Sequence, residues 1–238
     1  MLISTFEVTD DGSRTLRLGQ GDGTSEAMHS LKGAFSETDY IYGTAIRTAL
    51  ERSLPLSVLS MGLGLGYVEI LAAALWRRSG AAGTLRGESF EIVPELREYF
   101  LAWMSEREVP TDFKITYDDI LDRTATEFAV DRAQIKSDLQ NAIERGEWLI
   151  REALDSETQF THQFSAICFD AFSSKSTPDL WSEEFLNAFF AKTASDNCVL
   201  STYACTGALK RALKAQGFTV TIRQGFSSKR DSTFAVKN

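Results

Sequence analysis

Histidine is nearly absent: His29 and His162 are the only two in 238 residues, and with Cys168, Cys198 and Cys205 they form no pair at metal-ligand spacing. A metal centre is therefore not expected. The cysteine count is odd, and Cys168 lies inside the apolar run Ala166-Ile167-Cys168-Phe169, so buried thiols are expected rather than a disulfide framework. Apolar runs approaching the roughly 20 residues that cross a bilayer are also lacking. The first residues, Met1-Leu2-Ile3-Ser4-Thr5-Phe6-Glu7, carry no basic region followed by an apolar block. The expectation is a cytoplasmic protein with no membrane partner. Positive charge is in deficit: the net charge of -8 argues against a generic nucleic-acid binder, which needs surplus Lys and Arg to hold phosphates. The deficit is uneven, because Gly207 to Asn238 holds seven basic residues against Asp231 alone. That tail is either a solvated surface or a patch facing a polyanion.

What is present is core-forming material, 43% hydrophobic with 24% charged residues, enough for one elaborated domain. Ser57-Val58-Leu59-Ser60-Met61 reads as a short buried strand. The turn Gly62-Leu63-Gly64-Leu65-Gly66 comes next, and then a helix from Tyr67 to Arg78 with apolar residues at helical spacing. Leu85 to Ile92 reads as a second strand, Pro94 to Met104 as a second helix, Phe113 to Tyr117 as a third strand and Ser165 to Phe169 as a fourth. A helix at 183–192, a strand at 198–203, a helix at 206–216 and a terminal hairpin complete the chain. Strands alternating with helices predict an α/β fold with a doubly wound, mostly parallel sheet. Residues 1–50 are expected to form a β-rich N-terminal extension packed on a domain of residues 51–238. That domain would carry an acidic helical insertion at about 122–161.

A strand feeding a glycine turn and a helix N-terminus is a cofactor cradle, since glycines admit a ligand to the backbone N–H groups. Dinucleotide binding asks for G-x-G-x-x-G, but Tyr67 occupies the third position; the G-x-G-x-G of Gly62, Gly64 and Gly66 suits S-adenosylmethionine instead. Glu91, at the end of the second strand, is placed to accept bonds from ribose hydroxyls. Asp118 and Asp119, ending the expected third strand, could receive the adenine amine, and Asp170 ends the fourth. Acids also suit a sulfonium cation. Asp170 is the candidate catalytic group, holding or deprotonating an amine, with Phe172 excluding water and Lys229 and Arg230 meeting a phosphate.

These residues resemble the methyltransferase domain of MnmC, the tRNA 5-methylaminomethyl-2-thiouridine biosynthesis family, including its standalone forms without the FAD oxidase domain. The likeness is densest in Phe169-Asp170-Ala171-Phe172, Pro178-Asp179-Leu180-Trp181 and Gly225-Phe226 through Lys229-Arg230. It continues in Met61 to Gly66, in Phe90-Glu91 with Pro94, and in Met28-His29-Ser30 through Gly33-Ala34 and Glu37. The resemblance implies methyl transfer from S-adenosylmethionine to the aminomethyl group of a wobble uridine in tRNA. By position, Gly62, Gly64, Gly66, Glu91 and Asp119 would hold the cofactor and Asp170 would sit between it and the amine. Ser60, where the family has an acid, and Val68, where it has asparagine, depart from the pattern; so does Asp118, where the third strand usually ends in glycine. Two alternatives stay open: a methyl or aminopropyl transferase acting on a small amine or protein, and a non-enzymatic interaction protein that has lost the cofactor.

Overall fold

A computed structural model describes residues 4–19, 25–155, 157–171, 178–227 and 231–238. Its centre is a seven-stranded sheet in the order β6-β5-β4-β7-β8-β10-β9. The strands are β4 (Ser57–Met61), β5 (Arg86–Phe90), β6 (Trp148–Arg151), β7 (Phe164–Phe169), β8 (Ala194–Thr202), β9 (Thr219–Gln224) and β10 (Asp231–Lys237). Neighbours from β6 to β8 pair in parallel, and β10 runs antiparallel to both β8 and β9. β4 and β7 are buried at every position, as strands covered on both faces must be.

One face is covered by α2 (Thr44–Glu51), α3 (Tyr67–Ser79), α4 (Pro94–Met104), α5 (Thr111–Phe128) and α6 (Arg132–Glu144). The other face lies under α7 (Glu183–Thr193) and α8 (Gly207–Ala215), with Leu154 and Phe160 packed at its far side. Strand order reverses between β4 and β7, and an open α/β sheet takes its ligand in the crevice outside such a switch point. The glycine turn and Asp170 lie on either side of it.

The third strand differs from the sequence expectation. Phe113 to Tyr117 is not a strand but part of the 18-residue helix α5. Phe113, Tyr117, Ile120, Leu121, Thr124 and Phe128 recur at helical spacing and are buried, and Ile115 points outward at 44% exposure. The alternation over five residues is a fragment of this longer 3.6-residue period. Phe113 and Tyr117 pack their rings against Phe6, Tyr99, Phe100 and Trp103, so tertiary contact settles the helix. The third parallel strand is instead the four-residue β6, pairing with β5 from Gly87↔Trp148 to Phe90↔Arg151. Gly87 is obligatory there, because a Cβ would stand 2.8 Å from both the Trp148 ring and the Val58 carbonyl.

N-terminal residues build a separate three-stranded antiparallel sheet from β1 (Ser4–Val8), β2 (Arg14–Gly19) and β3 (Ser25–Ala27). The chain then enters α1 (Ala34–Thr38), passes through one π-helical turn at Asp39–Gly43 and continues as α2. This sheet is tied down by Tyr67, whose hydroxyl donates to the Arg14 carbonyl at 2.6 Å. Arg123 of α5 reaches the Asp11 and Gly12 carbonyls from the other side. The side chain that takes the place of a third glycine is thus the bolt between α3 and β2.

Candidate active site

Above the carboxyl ends of β4, β5 and β7 lies a cavity of about 680 Å³. Its floor is Met61 to Gly64, one wall is Phe90, Glu91 and Ile92 with Ala153 and Leu154, and the opposite wall is Asp170 and Ala171. Met28, His29, Ser30, Glu37 and Tyr42 close it from the N-terminal segment, and Leu180 and Tyr203 from the C-terminal half. The volume falls within the usual range of small-molecule sites. Glu37, Glu91 and Asp170 line it, and no Lys or Arg does so among the described residues. Such a lining favours a cationic occupant.

Each glycine of the turn has its own reason. Gly62 has φ +102°, and a Cβ would come within 2.9 Å of the Asp170 carbonyl, so only glycine lets the ends of β4 and β7 meet. The Asp170 N–H closes that junction by donating to the Met61 carbonyl at 3.0 Å. Gly66, at φ +75°, caps α3, and a Cβ there would collide with the Phe100 ring. Its purpose is helix packing; it is not part of the cavity lining, whereas Gly62 and Gly64 are.

Glu91 is 4% exposed and spans the turn. One carboxylate oxygen accepts the Gly64 N–H and the other the Val93 N–H, each at 2.9 Å. Burial raises its pKa, while those two N–H bonds and the nearby Arg97 oppose the rise. Ile92, next in sequence, lines the cavity at 64% exposure, an apolar shelf at the mouth suited to the flat face of a base. Opposite it, the Tyr203 hydroxyl donates to the Ala171 carbonyl at 2.8 Å, and burial, followed by the Asp170 charge, raises the Tyr42 phenol well above its ordinary value.

The sequence-derived set is therefore gathered in part. Gly62, Gly64, Glu91 and Asp170 converge on one cavity, with Gly66 directly beneath. Asp118 and Asp119 require correction: they sit on α5, not at a strand end, and do not line the cavity. Asp118 is engaged by Lys114, Arg132 and the Trp103 indole N–H, and Asp119 by Arg123. The true third strand, β6, runs directly into Glu152, Ala153 and Leu154, and the last two line the cavity. Phe172, Lys229 and Arg230 lie outside the described residues. The sequence assigned no role to Tyr42, Ile92 or Tyr203, whereas Met28, His29, Ser30, Glu37 and Leu180 enter the cavity from motifs that carried the family resemblance.

The departure at Ser60 also acquires a physical account. Ser60 is buried in mid-sheet, paired with Ser89 and Cys168 on the neighbouring strands, and Glu69 of α3 descends onto this row. The Ser89 hydroxyl donates to Glu69 Oε1 at 2.7 Å and itself accepts the Trp148 indole N–H at 2.9 Å. A carboxyl thus reaches this place from the helix and not from the strand.

Residues 121–238 match a family model described as S-adenosyl-L-methionine-dependent methyltransferase. A tRNA 5-methylaminomethyl-2-thiouridine biosynthesis bifunctional protein MnmC from Hahella chejuensis is 30% identical over 213 residues, covering 84% of this chain and 32% of that protein. The chain is related to the MnmC methyltransferase domain, and its C-terminal half matches a family of S-adenosylmethionine-dependent methyltransferases. An uncharacterized protein of Methanocaldococcus jannaschii is 27% identical, covering 97% of this chain and 58% of its own. The crystal structure of MNMC2 from Aquifex aeolicus superposes with a TM-score of 0.63 at 23% identity, over 98% of this chain and 70% of that one, and supports the fold. The chain spans about a third of the MnmC proteins' length, 32% of the Hahella protein and 34% of one from Burkholderia multivorans. The family matched by residues 121–238 takes S-adenosylmethionine as its cofactor. The described residues contain no cluster of potential metal ligands and no helix long and apolar enough to cross a membrane.

Proposed function

We propose that this methyltransferase modifies the nitrogen of an aminomethyl group on a wobble uridine in tRNA. The observation that carries the proposal is the acid-lined cavity, with Glu91 on one side of the glycine turn and Asp170 on the other. Gly62 and Gly64 supply close backbone approach for the cofactor, Glu91 takes the ribose hydroxyls, and Ile92 supports the base. The cofactor supplies a methyl group on a positively charged sulfur. Asp170 holds the incoming amine and accepts a proton from it, so that the nitrogen lone pair is free to attack in line with the S–CH3 bond. Wide acidic walls suit two cationic groups, the sulfonium and the ammonium, better than an anionic acceptor.

The MnmC proteins are named for a tRNA nucleoside, and the basic excess of Gly207 to Asn238 supplies the charge a polyanion needs. Lys229 and Arg230 are proposed to meet backbone phosphate, with Phe172 shielding the reacting nitrogen. Labelled S-adenosylmethionine should introduce methyl into tRNA from cells lacking this gene. Binding to bulk tRNA should weaken steeply as salt rises, since each neutralised phosphate releases counterions. Absence of both label and low-salt binding overturns the tRNA assignment, and label in a free polyamine instead supports the small-amine alternative.

Glu91→Gln is expected to lower cofactor affinity about tenfold, close to 1.4 kcal/mol, because one of two acceptor oxygens becomes a donor facing a backbone N–H. Titration calorimetry reads this directly. Unchanged affinity removes Glu91 from the cofactor site.

A further inference from the structure

Arg97 does not line the cavity, yet it grips the strand end that forms one wall of it. α4 starts at Pro94, close behind Glu91, and the side chains of a helix lean toward its N-terminus. Arg97, in the first turn of α4, therefore reaches back over the loop. Its Nη1 donates to the Glu91 carbonyl at 2.5 Å, and its Nη2 lies 3.5 Å from the Glu152 carboxylate just beyond β6. The Glu91 N–H donates to the Arg151 carbonyl at 3.1 Å, a second tie between the ends of β5 and β6.

The peptide units on either side of Ile92 are both held. Arg97 takes the carbonyl of the first, and the Glu91 carboxylate takes the N–H of the second, that of Val93, at 2.9 Å. Ile92 is pinned between them and stays 64% exposed at the cavity mouth, where an apolar side chain left to itself would turn out of water. The same carboxylate spans the glycine turn to the Gly64 N–H. Arg97 thus holds the backbone of the residue whose side chain is assigned to the cofactor.

We propose that Arg97 is a positioning residue for the ribose of the cofactor, fixing the Glu91 peptide so that the carboxylate is aimed at the ribose hydroxyls before the cofactor arrives. This rests on the role given to Glu91 above. Of the two guanidinium contacts, the one to the Glu91 carbonyl carries the effect. It is charge-assisted and made by a side chain only 15% exposed, whereas Glu152 is 86% exposed and an ion pair in water contributes little. Burial favours the neutral acid at Glu91, and the positive charge of Arg97 opposes it. An acid aimed in advance loses less freedom when the cofactor binds.

Titration calorimetry on the full chain, with S-adenosylmethionine and with an analogue lacking both ribose hydroxyls, tests this without a methyl acceptor. Arg97→Gln should weaken S-adenosylmethionine about tenfold and the analogue no more than about threefold. Arg97→Lys keeps the charge and a donor toward the Glu91 carbonyl, and should bring the loss on S-adenosylmethionine back to about threefold while sparing the analogue. In the Glu91→Gln background, Arg97→Gln should add no more than about threefold, because both changes remove one function. Equal losses on the two ligands, or a full tenfold loss added to Glu91→Gln, would show that Arg97 only supports α4 and overturn the proposal. Should Arg97→Gln not fold, the same comparison on Arg97→Lys decides: an equal effect on both ligands, including none, overturns it. Unchanged affinity in Glu91→Gln alone would defeat the cofactor role of Glu91 and this proposal with it, whereas a loss there beside equal losses in Arg97→Gln defeats Arg97 alone.

Discussion

Asp170→Ala should reduce methyl transfer by about 10²–10⁴-fold, the range over which a positioned acid or base acts. The size reflects its place in the cavity. Asp170 is fixed through its backbone N–H to Met61 and by the close approach that Gly62 permits. A carboxylate held in this way can take a proton with little reorganisation. Alanine leaves the amine protonated and its nitrogen lone pair unavailable, while the opposite wall with Glu91 is unchanged. The loss should therefore fall on kcat, with cofactor affinity measured by calorimetry changing only severalfold. Turnover within threefold of the unmodified protein would remove Asp170 from the chemistry.

The second large effect concerns stability. Glu69 is fully buried, and burial pushes its carboxyl from 4.5 up to about 7. Among the described residues, its Oε2 has no hydrogen-bond partner. Below pH 4.5 the group is protonated in both folded and unfolded chains and contributes no pH dependence. Between 4.5 and about 7 the unfolded chain releases the proton while the folded chain retains it, so stability falls as pH rises; above 7 this loss is complete. Such a shift corresponds to about 3 kcal/mol. Glu69→Gln retains the shape without the charge. The variant should exceed the unmodified protein in urea stability by up to that amount at about pH 8, with the difference vanishing near about pH 4. A difference that does not vary with pH would show that Glu69 does not titrate in this window.

Ser60 and Glu69 also show why part of the site was illegible in the sequence. A missing acid at Ser60 looks like a loss when strands are read singly, but the carboxyl arrives from nine residues further on, in the first turn of α3. Asp118 and Asp119 mislead in the opposite direction. The alternation of Phe113 to Tyr117 points to a strand ending at these acids, but packing against Phe100 and Trp103 makes the segment helical. The true strand, Trp148-Leu149-Ile150-Arg151, is too short to announce itself beside the helical period that precedes it. Tyr42 and Tyr203 are 161 positions apart in sequence and adjoin only because β8 and the π-helical turn meet above β7.

The glycine turn, Glu91 and Asp170 could be placed at one edge of the sheet from sequence alone because each depends on local rules: a strand run, a spacing that excludes the dinucleotide pattern, and an acid at a strand end. Parallel α/β alternation and the methyltransferase kinship were legible for the same reason. Tertiary structure alone decided which strand lies third, that Gly66 serves Phe100 and not the cavity, and that the N-terminal sheet and its π-helical turn close the site. These are questions of which surfaces meet. Burial and close packing answer them by combining residues far apart in the chain, which local periodicity does not encode.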